Sequence, residues 1–220
     1  MVERGVSPDI VYPFGIPIRQ EFIEASHKEN TTIDPTIRGT ILLMAGSMGT
    51  KQMEKAFAAL MKTEEKIRII VVCGNNERVE RSIEFLNKVY KAADKVVEIH
   101  GFVDNIPELM DESDAIISKP GGLTSTEAIV KNIPMIIPYY YPGQEEENAD
   151  YLVESGMAIK VDKIKELTSM VDFLIENKYI IKQMSENMSE EARTHSMGKT
   201  IDLCKTLIGE YDAGEVIAEL

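Results

Sequence analysis

Residues 41–73 combine two apolar runs with a helical pattern between them. The runs are Ile41-Leu42-Leu43-Met44-Ala45 and Ile67-Arg68-Ile69-Ile70-Val71-Val72-Cys73, and apolar residues recur at helical spacing from Lys51 to Met61. Runs that are apolar throughout indicate strands covered on both faces. A strand, a helix and a second strand in this order form the repeating unit of a parallel sheet. The stretch therefore predicts an α/β fold.

The same alternation continues along most of the chain and becomes wholly helical from about residue 163. The predicted class is a Rossmann-like parallel sheet with helices on both faces and a helical C-terminal tail. The predicted strands are Ile41–Ala45, Ile67–Cys73, Val96–Ile99, Ala115–Ser118, Met135–Pro138 and Ala158–Val161. The predicted helices are Lys51–Met61, Glu77–Ala92, Ser125–Lys131, Glu146–Ser155, Lys163–Glu176, Ile180–Arg193 and Lys199–Ile208.

The N-terminal residues 1–32 differ from the rest because they are poor in strand patterns and contain Pro8, Pro13, Gly15 and Pro17. Such a composition is typical of a linker or of a domain edge. We therefore expect an interdomain linker over residues 1–32 and a single domain over residues 33–220.

Composition and charge exclude several classes of function. The 220 residues carry a formal net charge of −13, and residues 111–220 alone account for −11. This charge repels nucleic acids and anionic lipid surfaces. No apolar run approaches the roughly 20 residues that span a bilayer, and no signal peptide pattern begins the chain. The expected location is therefore the cytoplasm or, for a full-length form, the cytoplasmic face of a membrane as a peripheral protein.

Cysteine and histidine are scarce. Two cysteines, Cys73 and Cys204, and three scattered histidines predict neither a disulfide framework nor a metal site. Both thiols are expected to be buried.

The loops that follow strands carry the candidate ligand sites, because ligands of open α/β sheets bind outside the carboxyl ends of the strands. The first loop, residues 45–50, contains Gly46, Ser47 and Gly49 ahead of a helix. Its glycines allow close approach of the backbone, and the following helix start offers amide groups to an anion. A purely structural glycine turn is an equal alternative.

The second loop, Lys119 to Glu127, breaks a strand with Pro-Gly-Gly. Thr124 or Ser125 is expected to cap the following helix, which puts Glu127 in its first turn. There Glu127 either compensates the helix dipole or serves as a capping-box partner, or it accepts two hydrogen bonds from a vicinal diol such as ribose.

The third loop, Tyr139 to Asn148, follows a strand with Pro142-Gly143-Gln144 and three glutamates. It is either a solvated acidic helix start or a set of amide and carboxylate groups suited to sugar hydroxyls. Three polar loops at one edge of a sheet favour a pocket for a nucleotide sugar.

These motifs resemble a known family. They are Gly15-Ile-Pro-Ile-Arg19, Ala45-Gly-Ser-Met-Gly49, Gly101-Phe-Val-Asp-Asn-Ile106, Lys119-Pro-Gly-Gly-Leu-Thr-Ser-Thr-Glu127 and Pro142-Gly-Gln-Glu-Glu-Glu-Asn148. From about Val2 to Ala158 the sequence resembles the C-terminal, donor-binding domain of GT-B glycosyltransferases. It is most similar to diacylglycerol glucosyltransferases and monogalactosyldiacylglycerol synthases, and more distantly to the peptidoglycan GlcNAc transferase.

The resemblance implies a role for each matching position. The backbone of Phe102 and Val103 would hold the uracil ring, and Glu127 would bind the ribose hydroxyls. Residues near the diphosphate would be Arg19, Gly121, Gly122 and Thr124, with Gly46, Ser47 and Gly49 in the same cleft and Lys119 as an extra cation. Gln144 and Glu145 would read the donor sugar, and Asn148 would support their loop. No metal or other cofactor is expected, and no Asp-x-Asp motif ends a strand.

The resemblance implies the donor-binding half of an inverting, UDP-sugar-dependent transferase that moves a hexose to a lipid acceptor such as diacylglycerol. In that family the general base, the acceptor site and any membrane attachment belong to a preceding domain, so the chain is expected to be a fragment that binds UDP-sugar without transferring it. The catalytic residues, the hexose and the acceptor stay open. Alternatives are a nucleotide-sugar-binding partner of a split transferase, or a UDP-GlcNAc transferase or 2-epimerase of the same fold.

Overall fold

The computed structural model describes residues 2–23, 34–44, 51–192 and 197–218. Within them a single parallel sheet has six strands: β1 Gly39–Met44, β2 Ile67–Val72, β3 Lys95–His100, β4 Ala115–Ile117, β5 Met135–Ile137 and β6 Ala158–Lys160. Their order across the sheet is β3-β2-β1-β4-β5-β6. The chain therefore winds outward from β1 in both directions, which is the doubly wound arrangement and confirms the predicted fold class.

Helices connect the strands and form the tail. In chain order they are α1 Gln20–Ile23, α2 Lys51–Leu60, α3 Glu77–Tyr90, α4 Ile106–Asp111, α5 Gly122–Val130, α6 Gln144–Glu154, α7 Leu167–Glu176, α8 Lys178–Ala192 and α9 Met197–Ala218. Short 3₁₀ turns lie at Val2–Arg4, Pro8–Ile10 and Ile164–Glu166. The described chain after β6 is helical, as the sequence predicts.

Two short helices lie outside the predicted pattern. The helix α4 is only six residues long, so its apolar spacing is too brief to stand out, although Asn105 precedes it and Pro107 lies in its first turn. The helix α1 falls in the segment predicted as a linker. The β1 strand begins two residues earlier than predicted because Gly39 and Thr40 pair with Ile67 and Arg68.

The sheet separates two apolar cores. Along β1, Ile41 and Leu43 belong to the core under α2, α3 and α7, whereas Leu42 and Met44 belong to the core under α4, α5 and α6. Successive side chains of a strand point to opposite faces, so an apolar run such as this one fills both cores. The prediction of strands covered on both faces is confirmed.

The N-terminal segment contributes to the second core. Ile18 and Phe22 are buried in it, and α1 contacts α5. The division into residues 1–32 and 33–220 stays a prediction, but these two side chains anchor the residues just before and within α1 on the domain.

The two thiols differ in exposure. Cys73 is buried, as predicted, but Cys204 is exposed on α9, which corrects the expectation that both are buried. A helical pattern does not reveal whether the rest of the chain covers its apolar side, and Ile201, Leu207 and Ile208 of α9 are exposed as well. Within the described ranges no helix is long and apolar enough to cross a membrane, and no group of acidic, histidine or cysteine side chains could hold a metal ion.

A buried ion pair joins the end of α5 to α4. Lys131 Nζ lies 2.8 Å from Asp111 Oδ2, and the two side chains are only 4% and 13% exposed. Removing one partner of such a pair leaves the other charge buried without compensation. We expect Lys131→Met to lower the free energy of unfolding by about 3 kcal/mol in urea denaturation.

The matched control is Lys182→Met, because Lys182 and Glu186 form an exposed pair with 3.9 Å between their charged atoms. Its expected effect is below about 0.5 kcal/mol. Similar losses in the two variants would contradict the role given to the buried pair.

Candidate functional site

The sheet reverses its winding direction between β1 and β4, which are neighbours. Connections leave these two strands on opposite sides, so a crevice forms outside their carboxyl ends. The loop after β1 carries Gly46, Ser47 and Gly49 and lies outside the described residues, so their role stays a prediction. The loop after β4 is described and leads directly into α5.

The α5 helix begins at Gly122, with Gly121 as its N-cap, and no side chain caps it. Thr124 and Ser125 lie inside the helix, which corrects the expectation that one of them caps it. The chain becomes helical directly after Pro120-Gly121, so the first amide groups of α5 are left without a capping oxygen. Among the described residues, a Cβ added to Gly121 would meet no heavy atom within 4 Å, so this part of the chain leaves space open at the helix start.

Glu127 lies in the second turn of α5, and α5 has no acidic residue in its first turn. The predicted dipole or capping-box role is therefore wrong, because it required the first turn. The side chain is half-buried, and burial raises its pKa while the charge of Arg19 acts in the opposite direction. The fold thus brings together two predicted site residues that are 108 positions apart.

Arg19 is exposed just before α1. Its guanidinium carbon lies 5.1 Å from the ring centre of Phe22, which is buried in the core. This cation–π contact with Phe22 holds the Arg19 guanidinium against the surface of the domain. Arg19 is thereby held near Glu127 while it keeps its donors in contact with solvent.

The third loop carries a preformed ion pair. Lys119 donates to Glu145 Oε1, while the backbone amide of Tyr141 donates to Glu145 Oε2 at 3.0 Å. Burial by itself would raise the pKa of Glu145, but the hydrogen bonds from Lys119 and Tyr141 outweigh it and hold the pKa below its usual value. Lys119 also lies 5.7 Å from the ring centre of Tyr141.

A second contact ties the same two loops together. Asn148 Nδ2 donates to the carbonyl oxygen of Pro120 at 2.9 Å, which joins α6 to the loop after β4. Gln144 is the exposed first residue of α6, and Gly143 before it has a φ of +100°, which L side chains rarely adopt. The glycine turn therefore directs Gln144 and Glu145 to neighbouring positions at the start of the helix.

Phe102 and Val103 follow β3 at the same edge of the sheet. The Phe102 side chain is exposed, and Val103 packs against the second core. Three strand spacings separate β3 from β4, a distance of about 14 Å. Phe102 and Val103 therefore lie at the β3 end of this edge, and the ion pair of Lys119 and Glu145 lies about three strands farther along it.

Sequence reasoning missed two buried hydroxyl groups beside this edge. Ser118 Oγ, at the end of β4, and Ser125 Oγ, in α5, have no hydrogen-bond partner within the described part of the chain. The sequence signal for Ser118 was its position as a polar residue directly after an apolar strand. His100 ends β3, and its Nε2 is buried 3.8 Å from Glu98 Oε2, which fits a strand-end residue.

A six-stranded parallel sheet of this order, with helices on both faces, defines a Rossmann-like domain. The fold is also that of two solved structures. The crystal structure of MurG from Acinetobacter baumannii aligns with a TM-score of 0.60 and 21% identity over 79% of this chain and 48% of that one. The glycotransferase of kitacinnamycin aligns with a TM-score of 0.58 and 15% identity over 83% of this chain and 46% of that one.

The family follows from sequence. Residues 40–202 match the glycosyltransferase family 28 C-terminal domain, so the chain belongs to this family. The processive diacylglycerol beta-glucosyltransferase of Bacillus licheniformis is 32% identical over 86% of this chain and 49% of its own length. The processive diacylglycerol beta-glucosyltransferase of Staphylococcus carnosus is 30% identical over 100% of this chain and 55% of its own length. The resemblance seen in the motifs is confirmed, and the chain spans about half the length of these relatives.

The ion pair of Lys119 and Glu145 makes a testable prediction about acidity. We expect Lys119→Met to raise the pKa of Glu145 from its present value below 4.5, because the cation that favours the carboxylate is lost. A carboxyl whose pKa is lowered by folding stabilises the fold at pH values above its pKa in the unfolded state. This contribution is lost as the pH falls through its pKa in the folded state. The variant should therefore lose less stability than the parent on acidification below about pH 4.5.

Carbon-detected NMR titration of the Glu145 carboxyl, together with urea unfolding at several pH values, measures both effects. Lys119→Arg is the control, since it keeps the positive charge and should keep the lowered pKa. An unchanged Glu145 pKa in Lys119→Met would show that the pair does not control this carboxyl.

Proposed function

We propose that this chain is the donor-binding domain of an inverting glycosyltransferase that takes a hexose from a UDP-sugar and transfers it to a lipid acceptor such as diacylglycerol. The observation that carries the proposal is the joined pair of loops after β4 and β5, in a family 28 domain whose switch point lies between β1 and β4. The names of the related diacylglycerol glucosyltransferases support the lipid acceptor.

The diphosphate is bound by few charges in this proposal. The uncapped start of α5, with open space before Gly121, offers backbone amides to an anion, and Arg19 adds a cation. Lys119 is neutralised by Glu145, which leaves Arg19 as the main side-chain partner of the phosphates. These donors would also stabilise the negative charge that grows on the leaving diphosphate. No metal ion is required by this arrangement.

The ribose and the uracil would extend along the edge of the sheet toward β3. Glu127 has two acceptor oxygens for the vicinal hydroxyls of ribose, and the burial that raises its pKa also strengthens any hydrogen bond it accepts when charged. The backbone of Phe102 and Val103 would contact the uracil ring. The distance of about 14 Å between β3 and β4 suits an extended nucleoside diphosphate.

The donor sugar would lie against the start of α6. Glu145 is oriented by Lys119 and by the amide of Tyr141, and Gln144 beside it is exposed. An amide and a carboxylate side by side can donate to and accept from neighbouring hydroxyl groups. Asn148 would hold this loop at a fixed distance from the diphosphate through its bond to Pro120.

The role of Glu127 is tested with two ligands that differ by one hydroxyl. We expect Glu127→Gln to weaken UDP binding by about tenfold to a hundredfold, since a hydrogen bond to a charged group contributes about 1.5–3 kcal/mol. The loss should be smaller for 2′-deoxy-UDP, which lacks one of the hydroxyls. Calorimetric titration of both ligands measures the difference.

Glu147→Gln is the matched control, because Glu147 is an exposed carboxylate in the first turn of α6. It should leave the affinity for UDP within about twofold, as expected for an exposed surface charge. Equal losses for UDP and 2′-deoxy-UDP in Glu127→Gln would reject the ribose contact, and UDP binding no tighter than inorganic phosphate would reject the site.

We further propose that the 220-residue chain binds UDP-sugar without transferring the hexose. The contacts described at this edge suit the donor, and the resemblance assigns the general base and the acceptor site to a preceding domain. Calorimetry with UDP-glucose, UDP-galactose and UDP-GlcNAc should show binding of at least one donor. A coupled assay for UDP release in the presence of diacylglycerol vesicles should show no transfer, and measurable glycolipid formation would contradict this proposal.

A further inference from the structure

The helices α2 and α3 contact each other and cover the same face of the sheet. Their outer surface is unusually basic for this chain. Seven exposed cations lie on these two helices or directly after them, and we call this area the α2–α3 surface: Lys51, Lys55, Lys62, Arg78, Arg81, Lys88 and Lys91.

The charge balance of this segment opposes that of the whole chain. Residues 51–91 hold nine basic and six acidic residues, a net charge of +3, whereas the remainder of the chain carries −16. Exposed acids in the segment are Glu64, Glu77 and Glu84. Glu77 and Arg81 form an exposed ion pair with 3.5 Å between their charged atoms, which leaves six exposed cations and two exposed acids outside the pair.

Two apolar side chains stand within this basic surface. Phe85 is 65% exposed and Val89 is 60% exposed, one helical turn apart on α3. Arg78 and Arg81 lie on the preceding turns of the same stripe, and Lys88 lies between the two apolar residues. Spacings of three, four and seven residues put these five side chains on one side of the helix. Val79 and Ile83 on the other side are buried in the core.

An exposed aromatic and an exposed aliphatic side chain that share one side of a helix with three cations have the chemistry of a helix lying on an anionic membrane. The apolar groups can enter the boundary between headgroups and acyl chains while the cations contact lipid phosphates. We propose that the α2–α3 surface docks this domain on an anionic lipid bilayer. The proposal goes beyond the donor site and does not require UDP to be bound.

The overall charge of −13 does not prevent this contact. At an ionic strength of about 0.1 M, exposed charges more than roughly 10 Å apart are largely screened from each other. The bilayer therefore responds to the side chains that face it, and a cation near an anionic surface strengthens binding by roughly fivefold. The seven cations of the α2–α3 surface outnumber its three exposed acids, which makes the local interaction attractive.

The test is sedimentation of the 220-residue chain with sucrose-loaded vesicles. We expect binding to equimolar phosphatidylglycerol and phosphatidylcholine, little binding to phosphatidylcholine alone, and at least a tenfold weakening between 0.05 and 0.5 M salt. The triple change Arg78→Glu, Arg81→Glu, Lys88→Glu should abolish binding. The milder Gln triple should weaken it more than tenfold and remains informative if the Glu triple unfolds.

The matched control reverses three exposed lysines elsewhere, Lys182, Lys199 and Lys205, with the same change in net charge. The affinity of this control for vesicles should stay within about threefold of that of the unchanged chain, since its three lysines lie on α8 and α9, outside the α2–α3 surface. An equal loss of vesicle binding in both triple variants would show that net charge alone governs binding, and it would overturn the proposal. Tighter binding to duplex DNA than to the anionic vesicles would overturn it too.

A spectroscopic test is possible because the chain contains no tryptophan. In Phe85→Trp the single indole should shift its emission to the blue when anionic vesicles are added. In Tyr151→Trp, on α6 at the opposite face, the emission should not change. Affinity for UDP, measured alongside, separates this proposal from that for the donor site: a lost vesicle response with intact UDP binding rejects only the membrane surface.

Discussion

All six strands of the sheet run in the same direction, and β1 pairs with β2 on one side and β4 on the other. This one constraint brings every loop that follows a strand to the same edge. It also sends the chain to opposite faces after β1 and β4, so that a crevice opens between their ends. The contact between Lys119 and Glu145 depends on it, since the two residues follow β4 and β5 and lie 26 positions apart in the sequence.

The contrast between total and local charge changes how the acidity of the chain is interpreted. A net charge of −13 suggests repulsion from phosphates and from anionic lipids. The folded chain nevertheless offers an uncapped helix start at one edge, with Arg19 near the same helix, and seven exposed cations on or directly after α2 and α3. Because salt screens distant charges, a surface is governed by the groups within about 10 Å. Composition therefore limits the number of anionic ligands but does not exclude them.

The sheet could be predicted from sequence because a buried parallel strand has a simple signature, a short run that is apolar throughout. Local details near the site could not be predicted from sequence. The start of α5 was predicted at Ser125, since Thr124 and Ser125 are good capping residues, but the chain turns into a helix directly after Pro120-Gly121. The exposure of Cys204 also escaped prediction, because a helical pattern does not tell whether another part of the protein covers it. The contact of Lys119 with Glu145 could not be predicted either, because it depends on how the loops after β4 and β5 lie against each other.

That ion pair has a consequence for how the site would choose a sugar. Both carboxylate oxygens of Glu145 already accept a hydrogen bond, from Lys119 and from the amide of Tyr141, so the side chain is oriented before any ligand arrives. Orientation in advance reduces the entropy lost on binding. It also fixes which lone pairs remain for a sugar hydroxyl, so Glu145 would favour one direction of approach. Gln144 is exposed at the first position of α6 and retains its rotamer freedom. The two neighbours would therefore differ in function: Glu145 would set the position of the hexose, and Gln144 would adapt to the hydroxyl that distinguishes one epimer from another.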